Sequence, residues 1–71
     1  MSTQESVEHL AKQLREDKDF YFTYQSSIAM SFYDEYFKGW EREDVLKESK
    51  NIHGIANQAA KNFLDIFILN Q

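Results

Sequence analysis

No cysteine and no proline occur in this sequence of 71 residues, and glycine stands only at Gly39 and Gly54. Without cysteine there can be no disulfide staple, thiolate zinc site or cysteine nucleophile. Histidine is scarce too, with only His9 and His53, so any metal site would have to rest mainly on carboxylates. Positive charge is also in short supply: 8 basic against 12 acidic residues leave a net charge of −4, with the two signs interspersed. That balance argues against affinity built on phosphate neutralisation. Nor is there a long hydrophobic run. Ile66-Phe-Ile-Leu69, near the end, is far short of the ~20 residues that a membrane span requires. Met1-Ser-Thr-Gln-Glu-Ser6 has neither the basic start nor the apolar centre of a secretory signal. The expectation is a soluble cytoplasmic protein, with no membrane partner.

What the chain does have is aromatic residues. They make up 15% of the sequence, which is the composition of a folded domain, since disordered segments are poor in them. Nine of the eleven fall within the 21 positions from Phe20 to Trp40. A domain this small buries only about 60% of the surface its unfolded chain exposes, so it is marginal without support. Disulfides, structural metals and self-association are the usual supports. The first is excluded and the second poorly served, which leaves a homodimer or higher homo-oligomer as the expectation.

The scarcity of helix breakers predicts an all-α fold: a single domain of three helices, with a fourth short one allowed, packed antiparallel around the second. The first helix is expected over residues 3–16. Ser2 and Glu5 have the spacing of a capping box, and Val7, Leu10, Ala11 and Leu14 form one apolar stripe. Asp17 or Asp19 can cap the next helix. That helix, over residues 20–38, is apolar around most of its circumference, its polar side reduced to Thr23, Ser27, Ser31, Asp34, Glu35 and Lys38. Gly39 is placed to end it in a left-handed conformation. A short helix over 43–49 and a long one over 51–69 follow, although Val45 is nearly in phase with Ile52, so one continuous helix competes with this division. Ile52, Ile55, Ala56, Ala59, Ala60, Phe63, Ile66 and Phe67 define the expected buried face of the last helix. Leu64, Ile68 and Leu69 lie off it.

Four features invite a chemical reading. Gln25 sits in the middle of the apolar arc of the second helix; as a buried amide it needs a partner, and it could set helix register. Glu5 and His9 share a helical face, but two histidines without a His-Glu-x-x-His pattern do not make a zinc site. The short helix, turn and Asn51–Lys61 segment have the outline of a helix-turn-helix, with His53, Asn57, Gln58 and Lys61 as base-reading types. Against that, the only arginines are Arg15 and Arg42, and Glu41, Glu43, Asp44 and Glu48 would face the phosphates. A small DNA-binding regulator is therefore a rival reading only. A second rival is an oligomer that sequesters a nucleotide, with Lys38 and Arg42 beside Trp40. No nucleophile–base pair, metal cluster or phosphate loop can be assembled, so no enzyme and no cofactor are expected.

Phe20-Tyr-Phe-Thr-Tyr-Gln-Ser-Ser-Ile-Ala-Met-Ser-Phe32, followed by Ile52-His-Gly-Ile-Ala-Asn-Gln-Ala-Ala-Lys-Asn-Phe-Leu64, resembles short uncharacterised proteins of tailed phages and prophages. The likeness runs from about Val7 to Ile68 and consists largely of packing residues. It implies an origin, a small accessory protein in the cytoplasm of an infected bacterium, and carries no activity. The functional expectation is a non-enzymatic protein that binds a host or phage protein. Tyr33, Phe37 and Trp40 are the nominated aromatic contacts, because such residues dominate interfaces when they fill pockets. Leu64, Ile68 and Leu69 are nominated with them.

Overall fold

Three α-helices make up the computed structural model, which describes residues 3–71: α1 Thr3–Glu16, α2 Lys18–Tyr36 and α3 Arg42–Leu69. There is no strand among the described residues. The stripe predicted for α1 is the face it turns inward, with Ala11 and Leu14 buried and Val7 and Leu10 half-buried. Ser2, and with it the expected capping box, lies outside the described residues.

One residue joins α1 to α2. The Asp17 N–H donates to Gln13 O at 2.9 Å, completing the last turn of α1. Its carboxylate Oδ1 accepts from the Phe20 N–H at 3.1 Å, capping α2. Of the two candidate aspartates it is therefore Asp17 that caps, and α2 begins at Lys18 rather than Phe20. At the other end α2 stops at Tyr36, two residues before the expected boundary, and Phe37 is its C-cap. The Trp40 N–H then closes a turn on Phe37 O at 3.0 Å. Gly39 has φ +84°, the left-handed value that a type II turn needs at its third position.

The expected break after Ser49 does not occur. Residues 42–69 form one helix of 28 residues, the competing reading of the sequence. An unbroken inward-facing row explains this: Val45, Ser49 and Ile52 are half-buried and Ala56, Ala60 and Leu64 buried, at the three- and four-residue spacings of a single helical face. Ser49, the polar member of the row, turns its hydroxyl back onto Leu46 O at 3.4 Å.

The closest packing is between α2 and α3, and α1 touches both. Ala29 of α2 meets Ala56 and Ala60 of α3, with Ile28 and Tyr33 packed alongside. Contacts fall in α3 as they rise in α2: Tyr21 reaches Asp65, Gln25 reaches Asn57, and Tyr33 reaches His53. Leu10 and Leu14 of α1 lie over Tyr24, Phe63, Leu64 and Phe67, around a small apolar cleft of about 130 Å³. At 1.5 Å per residue, α1 is roughly 21 Å long and α3 roughly 42 Å. α1 is therefore half the length of α3 and about three-quarters that of α2, roughly 28 Å by the same rise.

The buried face of α3 is not the predicted one. Ala56 and Ala60 are inside as expected, but Ile55, Phe63 and Ile66 are 62%, 56% and 60% exposed, whereas Leu64 is 1% exposed. The inward direction is rotated toward Leu64, by somewhat less than the ~100° between successive helical residues. The predicted face straddled two stripes, one turned inward and one left outside.

Gly39 and Gly54 give opposite predictions, since a Cβ at either would meet nothing within 4 Å. Gly39→Ala should lower stability by about 1–2 kcal/mol, because only the left-handed φ opposes it. Gly54→Ala, in the middle of α3, should raise stability by about 0.5–1 kcal/mol. Urea unfolding followed by circular dichroism measures both.

Candidate functional site

Three groups of side chains stand out along the α2–α3 pair. The first consists of polar contacts between the helices. The Tyr21 hydroxyl donates to Asp65 Oδ1 at 2.8 Å, while Lys61 Nζ lies 2.6 Å from Asp65 Oδ2. Burial against α3, reinforced by the hydrogen bond to Asp65 and its negative charge, pushes the Tyr21 phenol up to about 12. The Asp65 carboxyl is held below its ordinary range, first by the hydrogen bond from Lys61 and then by that from Tyr21. One helical turn or more nearer the chain reversal, half-buried Gln25 donates from Nε2 to the main-chain oxygen of Asn57 at 3.4 Å. Asn57 in turn bonds His53, through its side-chain Nδ2 to His53 O at 3.0 Å. The contact expected of Gln25 is therefore made within the chain.

The second group is a ring cluster at the α2–α3 turn. Tyr33 and Phe37 stack edge to face with centroids 4.8 Å apart, and Phe37 meets Tyr36 at 5.0 Å and Trp40 at 5.1 Å. Tyr36 and Trp40 are 5.3 Å apart, and Tyr33 meets His53 at 5.6 Å. Such pairs are worth about 0.5–1.5 kcal/mol each beyond the area they bury. Phe37 is the buried hub, at 8% exposed, while Tyr36 and Trp40 face outward.

The third group is a groove of about 430 Å³ between α2 and α3, lined by Phe32, Tyr36, Ile52, Ile55, Ala56 and Ala59. It lies toward the turn, away from the end that α1 covers. None of its lining residues carries a charge.

These positions revise the nominated contacts. Phe37 and Leu64 are buried in the chain's own packing, and Tyr33 and Ile68 are half-buried. Of the six nominated residues only Trp40 and Leu69 are exposed, and Leu69, at 85% exposed, lies at the opposite end of the pair from Trp40. The nominated six therefore do not form one surface. The groove instead draws on Phe32, Ile55 and Ala59, residues that helical periodicity assigned to the core. A signal for them was present in the sequence: the apolar arcs of α2 and α3 are each wider than one neighbouring helix can cover.

Among the described residues, no three His, Asp or Glu side chains are grouped as ligands of a metal ion. No helix among them is long and apolar enough to cross a membrane. Compared with protein-family models, curated proteins and solved structures, the chain matches none.

Tyr21→Phe removes one hydrogen bond between helices and should cost about 1 kcal/mol near neutral pH. The raised phenol also gives a signed pH dependence. Its folded-state contribution is complete below the ordinary tyrosine value near 10 and is lost as pH rises toward about 12. Stability should therefore fall over that alkaline window in the wild type, and less steeply in Tyr21→Phe. Ultraviolet titration should show one of the four tyrosines ionising last.

Proposed function

We propose that this chain is a non-enzymatic binding protein that works by burying the groove between α2 and α3 against another protein. The observation that carries the reading is the concentration of uncovered apolar surface. Phe32, Tyr36 and Ile55 line one uncharged groove while remaining 41–62% exposed. Contiguous apolar surface of this kind marks protein contacts, whereas isolated exposed hydrophobic residues need no explanation. Tyr36 and Trp40 at its edge are of the residue types enriched in such contacts. The order of the contacts between α2 and α3 supports an antiparallel bundle, and no residue of α1 lines the groove. The likeness to short tailed-phage and prophage proteins supplies a setting, the cytoplasm of an infected bacterium, with a host or phage protein as the class of partner.

A test built on Tyr33, Phe37 and Trp40 together would damage the fold through Phe37, so the groove residues make the better probes. A photoreactive residue in place of Tyr36, in the full chain inside the bacterium, should yield a discrete crosslinked protein band on irradiation. The double variant Phe32→Ser, Tyr36→Ser should keep its helical circular dichroism yet retain the crosslinked partner more than about tenfold less well in affinity capture. A probe at Tyr36 that gave no protein adduct would remove this function.

A further inference from the structure

We infer that the groove is filled by a second copy of the chain, in a two-fold contact where α3 crosses α3 of the partner at Ala59; this rests on the surface being a protein interface. Three observations lead there. The first is area. A folded monomer of 8.5 kDa exposes roughly 4,650 Å² by the scaling of surface with mass, whereas this chain exposes 5599 Å². The excess of roughly 950 Å² is close to the ~800 Å² that each partner contributes to a standard interface. The radius of gyration says the same: 14.7 Å against roughly 11 Å for a compact chain of this length.

The second observation is the spacing of the outward stripe on α3. Ile52, half-buried at the edge of the inward row, and exposed Ile55, Ala59, Phe63 and Ile66 are separated by three, four, four and three residues, a pattern that reads the same in both directions from Ala59. A two-fold contact demands this property, because residue i must meet residue j while j meets i. Two α3 helices crossing antiparallel at Ala59 would set Ile55 against the partner's Phe63 and Ile52 against the partner's Ile66. Each groove thereby receives two large apolar side chains from the end of the partner that α1 covers. The alanine at the crossing point allows the helices close approach.

The third observation is charge. Residues 51–60 contain no aspartate, glutamate, lysine or arginine, in a chain that has 20 such residues in 71. A charged residue near a two-fold axis faces its own copy and repels it. Here the exposed polar neighbours of Ala59 are Gln58 and Asn62, uncharged and bonded to each other at 3.0 Å. The section of α3 that a two-fold axis would cross is therefore the section free of like-charge repulsion.

Light scattering on the full chain over a concentration series should give twice the 8.5 kDa chain mass. Ala59→Arg, at an exposed helical position, should give the mass of one chain with its circular dichroism preserved. A second variant keeps the test decisive if the arginine unfolds the protein. Helices packed ~8–10 Å apart, with Cα atoms ~2.3 Å from each axis, bring paired residues at the crossing within disulfide reach. Because the chain has no cysteine of its own, Ala59→Cys should oxidise to a covalent dimer, and Lys47→Cys, off the stripe, should not. A one-chain mass for the wild type at every concentration, an unchanged dimer in folded Ala59→Arg, or equal crosslinking of the two cysteine variants would each overturn the inference. A one-chain mass together with a Tyr36 adduct to a different protein would overturn the second copy alone. A one-chain mass with no adduct would overturn the interface reading as well.

Discussion

The close approach of α2 and α3 at Ala29, Ala56 and Ala60 governs the rest of the molecule. Small side chains on both helices allow the backbones to come near each other, and the same closeness leaves little room between them for anything large. The nine aromatics of the Phe20–Trp40 segment cannot stand in that seam, so they are displaced to its flanks and to the turn. Among the described residues, Leu64 is the only large side chain that is fully buried. The interior is therefore modest, and much of the apolar content of the sequence becomes lining of clefts or outer surface.

The short α1 adds a second asymmetry. Its link to α2 is the single residue Asp17, which leaves it little freedom over where to lie. Its Leu10 and Leu14 lie over Tyr24, Phe63 and Phe67. No residue of α1 lines the groove of about 430 Å³ at Phe32, Tyr36 and Ile52. The apolar surface beside Phe32, Tyr36 and Ile52 is thus left to α2 and α3 alone.

The element types were legible from local signals because each rests on chemistry within a few residues. An aspartate cap at 17 or 19 and a left-handed Gly39 follow from the side chain or the lack of one, although α2 ends three residues before Gly39, and the stripe of α1 follows from spacing. The continuity of α3 was legible only as the competing reading. Polar residues 47–51 resemble a linker in composition, and only the phase of Val45, Ser49 and Ile52 shows that the helix continues. The site was legible in amount but not in position. The widths of the apolar arcs on α2 and α3 showed that more surface existed than one bundle could cover. Which part of each arc faces inward depends on where the other helices sit, and spacing along one helix does not encode that. Leu64 and Ile55 therefore exchanged places, one going in and the other out. Phe37 was drawn into the core by the turn that it opens and Trp40 closes, three residues on.

Gln25 addresses the main chain of its neighbour rather than a side chain. The oxygen it reaches belongs to Asn57 only by position, and every residue type would offer the same acceptor there. Gln25 thus ties α2 to the peptide backbone of α3, alongside the side-chain contacts Tyr21–Asp65 and Tyr33–His53. Residue 57 is left free of that duty and can change without the helices losing their place. A helix held in this way can vary its outward chemistry while that contact stays constant.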